Sequence, residues 1–295
     1  MVLLKDGAFY YEHGNTAYLQ FAGVMAGAVS DAGTLREHDV RTKNEFESVA
    51  LGRNGALWAT SILDDPSWPP VWHGAIERIG PSGSRVIFRI PHQLGRPEQM
   101  LLGPDGAWWF ALPEAHSVGR LSDDRRFTIV AQFASMRPDE IAFDSAGFLY
   151  AAERYGDRVA KVLPGGKILV FMVPTRGGEL GALAGGANQD MWFTEHSANR
   201  IGHIPRTGRV EEFTTKSGVI LDALAVGRDA VWFAVEDGIG RFSLRTHASI
   251  VIQLPDQFSR PNALAVSRTG DVWFTESIDD ARCTSECGGI ARIVP

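Results

Sequence analysis

The chain has 295 residues, 44% hydrophobic and 22% charged, the make-up of an ordinary soluble globular protein. Its net charge of −6 offers no basic face to nucleic-acid phosphates, and no apolar run approaches the roughly 20 residues of a membrane span. Neither a nucleic-acid nor a membrane partner is expected, and Met1-Val-Leu-Leu-Lys-Asp6 carries no basic and apolar leader pattern.

One unit recurs along the chain: a short apolar run, a Gly turn, then an aromatic-rich strand. The key aromatic falls at Tyr10, Trp58, Trp109, Tyr150, Trp192, Trp232 and Trp273, with spacings of 48, 51, 41, 42, 40 and 41 residues. Each copy continues with a third strand, such as Arg200–Pro205, and a fourth, such as Arg209–Phe213. Four strands in about 40 residues make one propeller blade, and a blade cannot bury both faces alone. The expectation is a single domain spanning residues 1–295, an all-β seven-bladed β-propeller of four-stranded antiparallel blades, monomeric, with the aromatics packed between sheets. The last copy ends after its third strand, Gly289–Val294, so the last blade is expected to be incomplete.

The wording of the repeat resembles the streptogramin B lyase (virginiamycin B lyase) family. The resemblance is carried by Trp192-Phe-Thr-Glu-His-Ser-Ala-Asn-Arg-Ile-Gly-His-Ile-Pro-Arg-Thr-Gly-Arg-Val-Glu-Glu-Phe213 and is strongest in the last four copies. It implies a propeller that opens a cyclic depsipeptide by elimination across its ester, using a His base and magnesium held by Glu residues. At the matching positions this sequence has Asn262 for the base and Arg260 for the first metal-binding Glu; Glu276 lies one residue short of the second. The position of a second family His holds Asp222. Asn cannot act as a general base near neutral pH. Efficient linearisation of streptogramin B is therefore not expected. Arg260-Pro-Asn-Ala-Leu-Ala-Val266 and Arg137-Pro-Asp-Glu-Ile-Ala-Phe143 are also similar to segments of the SMP-30/gluconolactonase propellers, which hold calcium at inner-strand starts.

Inner-strand starts and second-strand ends of a propeller share one face around the channel. Aligning the inner strands on their apolar pair puts Glu47, Glu98, Asp139, Gly181, Asp222 and Asn262 at one level. Converging carboxylates repel unless solvated or sharing a cation. Two readings of this ring stand: a solvated acidic funnel, or a divalent-cation site for magnesium or calcium formed by Glu47, Glu98, Asp139, Asp222 and Asn262. Second-strand ends add Glu12-His13, Glu153-Arg154, Glu195-His196 and Glu276, with His13 and His196 as candidate bases and Glu12 beside the first. Insertions at 62–74 and 278–288 flank the first blade, and the stiff Trp68 and Trp72 of the former offer apolar surface to a small-molecule ligand, with Arg260 and Glu276 nearby. Cys283 and Cys287, four apart, are too few for a zinc site; free thiols and a local disulfide both remain open. Two functions compete: a metal-assisted lyase or hydrolase acting on an ester or lactone, and a non-catalytic ligand- or protein-binding propeller.

Overall fold

The structure is a computed structural model. It describes the chain apart from residues 1, 5–6, 14–23, 31–34, 41–44, 53–55, 64–72, 81–83, 155, 216–218, 237, 256–258, 268, 279–287 and 295, and at 2–45, 221–222, 259, 276–278 and 288–289 it describes backbone alone.

The described strands form seven antiparallel sheets, six of four strands and one of three, each running in sequence order across the sheet. The blades are Val2–Val40, Glu45–Arg89, Met100–Gln132, Glu140–Met172, Leu180–Thr214, Ile220–Gln253 and Ser259–Ile293, called blades 1 to 7. First strands of consecutive blades touch from blade 2 to blade 7, the first strand of blade 1 meets that of blade 7, and its second strand meets the first strand of blade 2. The ring is thus closed, with first strands at the axis. Three strands of the last blade are described, in keeping with the expectation from its sequence. Apolar side chains on fourth strands, such as Val170, Met172 and Ile250, face solvent at the periphery.

Alternation along the second strand explains why the sheets stack. In blade 5, Trp192 joins the cluster shared with blade 6, while its neighbour Phe193 joins the cluster shared with blade 4. Blade 6 repeats this with Trp232 toward blade 7 and Phe233 toward blade 5. A period of two therefore fills both faces of each sheet. Trp58, Trp192, Trp232 and Trp273 are buried as expected. Trp109 is only half-buried, edge-on to Phe143 of the next blade at 5.3 Å, and its neighbour Trp108 is the buried indole, 5.0 Å from Trp58. Opposite the key aromatic the third strand often carries a cation, with Lys161 over Tyr150 at 4.8 Å, Arg241 over Trp232 at 5.5 Å and Arg292 over Trp273 at 5.2 Å.

The phenyl rings need a flat floor. Phe110 pairs across strands with Gly119, Phe193 with Gly202 and Phe233 with Gly240. A methyl group built on Gly202 would stand 1.9 Å from Phe193 Cζ, and on Gly240 2.2 Å from Phe233 Cε2. Glycine is thus required at these positions by close approach of a ring. Blade 4 solves the same problem with small residues on both strands, Ala151 opposite Ala160. Inner strands are also stitched to each other: the Met100 N–H donates to Ser48 Oγ at 3.1 Å, and the Ile141 N–H donates to Gln99 Oε1.

Overpacking of this kind costs about 1–3 kcal/mol. Gly202→Ala is expected to destabilise the protein at the upper end of that range in urea unfolding, and to cost less in a Phe193→Leu background; a neutral Gly202→Ala would contradict the packing account.

Candidate functional site

The inner strands do not begin as regular pairs. Each strand of blades 2 to 7 carries an irregularity where the sequence alignment placed the ring. Glu47 is the extra residue between the pairs Phe46–Ser61 and Ser48–Thr60, and Asn262 lies between Pro261–Glu276 and Ala263–Thr275. The register shifts between Leu180 and Leu183, enclosing Gly181, and between Ile220 and Leu224, enclosing Asp222. In blade 3 the Glu98 N–H donates to Ala111 O at 3.0 Å while the Ala111 N–H donates to Gln99 O at 3.0 Å, so two residues face one. Blade 4 repeats this with Asp139, whose N–H donates to Ala152 O at 3.0 Å, beside the pair Glu140–Ala152. A bulge bends the strand and re-aims one side chain. Here it does so at one level of the ring, in six consecutive blades.

One described carboxylate there, Glu98, senses two others, Glu47 and Asp139. Glu98 is half-buried, with no side-chain hydrogen-bond partner among the described residues. Its pKa is raised, first by burial, then by the charge of Glu47, with Asp139 and Glu114 adding and Arg96 opposing. Asp139 is also raised by burial, although its Oδ2 accepts the Arg154 N–H at 3.0 Å and Arg154 and Arg137 favour its charged form. Glu47 is exposed. Glu98 is therefore a carboxyl group held back from ionising first by burial and then by neighbours of like charge.

The described start of the inner strand of blade 7 presents no base. Asn262 is exposed, and the half-exposed guanidinium of Arg260 lies 3.6 Å from Glu236 of the preceding blade. A cation thus occupies the position where the family resemblance puts a metal-binding carboxylate. Among the described residues no three His, Cys, Asp or Glu side chains stand close enough to hold a metal ion. The described residues do not fit the family's metal at that seat. The side chains of Asp222 and Glu276, and of Glu12 and His13, lie outside the described residues, as do Trp68, Trp72, Cys283 and Cys287. His196 is half-buried at the end of its strand, its N–H donating to Glu179 O at 3.0 Å.

One residue of this face, Glu195, stands out in sequence only as the neighbour of His196 and has no role of its own there. In blade 4, Glu153 accepts the Arg137 N–H at 3.2 Å and binds Arg158 at 3.0 Å. In blade 3, Glu114 accepts the equivalent Arg96 N–H at 3.3 Å. The counterpart in blade 5 is Glu195, and both partners have gone. Glu179, in the place of Arg137, takes a left-handed φ of 54°, and Arg200, in the place of Arg158, binds Glu212 and Thr175, each at 2.7 Å. Both Glu195 oxygens are buried and unpartnered. Burial, with Glu212 and then Asp157 reinforcing and Arg200 opposing, pushes its pKa up to about 7. The signal that could have found it is the replacement of the Arg-Pro dipeptide of blades 3 and 4 by Glu179-Leu180.

The sign of the effect follows from linkage. Between pH 4.5 and about 7 the folded protein holds a proton on Glu195 that the unfolded chain releases, so this group's contribution to stability is lost as pH rises through that window. Glu195→Gln is expected to remove that slope and to be the more stable protein at pH 8 by on the order of 2 kcal/mol. Parallel melting-temperature profiles of parent and variant from pH 4.5 to 8 would contradict it.

The comparisons with known proteins agree with the architecture. Residues 33–285 match the family model described as the Virginiamycin B lyase family. A curated virginiamycin B lyase of Nocardia farcinica (strain IFM 10152) is 29% identical over 170 residues, 56% of this chain and 58% of that protein, so the chain aligns with less than two thirds of that relative's length. The solved virginiamycin B lyase from Staphylococcus aureus superposes with a TM-score of 0.73 at 18% identity, covering 97% of this chain and 100% of its own. A catalytically inactive His-to-Ala variant of that lyase with quinupristin gives 0.74, at the same identity and coverage. A putative gluconolactonase gives 0.52 at 17% identity, covering 97% and 90%. At these identities the solved structures establish the propeller fold, while the family model covers most of the chain: the chain belongs to the virginiamycin B lyase family.

Proposed function

We propose that this protein cleaves an ester or lactone bond of a small molecule at the channel mouth, with Glu98 as the general base in place of the family's histidine. The observation that carries this reading is the half-buried Glu98 carboxyl, raised by burial and by Glu47 and Asp139 and lacking a hydrogen-bond partner among the described residues. A base works best when its pKa approaches the operating pH, and like charges beside it move it that way. The carboxylate would take a proton from a water as its oxygen adds to the ester carbonyl, giving an acid and an alcohol. Alternatively it would take a proton from the carbon next to the C–O carbon, giving a carboxylic acid and an alkene. Arg96 and Arg137, two residues before Glu98 and Asp139, supply positive charge for the carboxylate product.

A second reading has its own support. Asn262 and Arg260 stand where the resemblance puts a base and a metal ligand, which favours a propeller that binds such molecules without turning them over.

A panel of lactones and esters that includes a streptogramin B, assayed by mass spectrometry with and without chelator, separates these readings. Hydrolysis of a ring adds one water to the mass, whereas elimination leaves it unchanged. Turnover of at least one member is expected to survive chelation and to fall about 10²–10⁴-fold in Glu98→Gln. The streptogramin itself is expected to react slowest. Turnover abolished by chelator would instead favour a metal-assisted reaction without Glu98 as its base, and no turnover at all would favour the binding protein.

A further inference from the structure

A pocket of about 440 Å³ opens between blades 2 and 3, within the size range of small-ligand sites. It is formed by first-strand ends, second-strand starts and third-strand ends, such as Gly52, Trp58 and Arg78. The antiparallel topology therefore puts it at the opposite end of the propeller from the channel mouth. It is independent of the site proposed above.

Its chemistry is specific. Trp58 stacks on Phe88 with ring centroids 5.6 Å apart and planes 11° from parallel, and on Trp108 at 5.0 Å. Two guanidiniums line the same space. Arg78 is half-buried, and Arg125 sits over the Phe88 ring at 5.8 Å. Neither forms an ion pair or a side-chain hydrogen bond among the described residues. Other arginines and lysines at these turns are neutralised: Arg120 by Asp105 at 2.7 Å, Lys161 by Asp144 at 3.0 Å and Arg241 by Asp229 at 2.6 Å.

The fold supplies its own comparison. Between blades 5 and 6 the equivalent positions are filled. His203, paired with Trp192 as Arg78 is with Trp58, stacks on that indole at 4.1 Å. Phe242 stands for Leu121, and His247 stands for Arg125 with the same left-handed backbone, φ 56° against 66°. Phe213, the counterpart of Phe88, is closed in by both, each ring centroid 4.9 Å away. One repeat position is thus a plugged core in one interface and, in another, an aromatic pocket lined by the exposed Asp123 and by two cations without an ion pair among the described residues.

We propose that the pocket between blades 2 and 3 binds a planar aromatic carboxylate, its ring against Trp58 and Phe88 and its charge on Arg78 and Arg125. The test uses 2-naphthoate and its neutral counterpart 2-naphthalenemethanol, measured by calorimetry and by quenching of tryptophan fluorescence. Naphthoate is expected to bind the tighter. Arg78→Gln should weaken it about tenfold, the loss of one charge-assisted contact, without affecting the alcohol. The paired change Arg78→His with Arg125→His, which installs the residues that close the other interface, should remove binding of both probes at unchanged melting temperature. Glu98→Gln, at the far end of the molecule, should leave both affinities as they are. No binding at millimolar naphthoate, equal affinity for acid and alcohol, or an affinity indifferent to Arg78→Gln would each overturn the proposal.

Discussion

A phenyl ring lying on a residue with no side chain is the contact on which the ring of blades depends. Phe110, Phe193 and Phe233 can turn flat against their own sheets because Gly119, Gly202 and Gly240 lie beneath them. Once flat, each fills the interface with the preceding blade and leaves the neighbouring tryptophan free to fill the interface with the next. Both faces of a narrow sheet are then buried by two adjacent residues. Neither face would be buried without a neighbouring blade, so stability comes from closure of the ring rather than from any one sheet.

The architecture was legible because that contact has a short sequence signature. An aromatic pair in the second strand, a glycine in the third and a period near 41 residues announce seven sheets before any coordinates. The level of the channel ring was legible too, since the apolar pair in each inner strand fixes the register and the bulges fall where the alignment places Glu47, Glu98, Asp139 and Asn262. What could not be read was the balance of forces on single side chains. Glu153 and Glu195 look alike in sequence, yet one is held by two partners and the other by none. The difference arises from a left-handed backbone at Glu179 and from the choice Arg200 makes between two carboxylates. Such choices are settled by tertiary geometry and leave no pattern in one strand. Trp108 escaped notice for a related reason: at Trp108-Trp109 two aromatics compete for one interface, and only packing against Trp58 decides which is buried.

Family membership and site chemistry point in different directions here, and the fold accommodates both. A propeller ring offers equivalent positions in every blade, so a base lost from one inner strand can be replaced by an acid on another without altering the scaffold. Asn262 and Arg260 stand where the resemblance puts a base and a metal-binding carboxylate in blade 7, while Glu98 and Asp139 bring partly buried carboxyl groups to the same level of blades 3 and 4. The pocket between blades 2 and 3 illustrates the same freedom at the other end of the molecule. There the repeat's plugging side chains give way to arginines, and a core position becomes an open one.

The account rests on Glu98 being a carboxyl group poised by burial and by its neighbours. The direct measurement is its titration by carbon NMR in protein labelled at the glutamate side chains, assigned by the signal missing from Glu98→Gln. The account predicts a midpoint above the ordinary 4.5 that moves down when Glu47 is changed to Gln or Asp139 to Asn. A midpoint at or below 4.5, indifferent to those two substitutions, would contradict it.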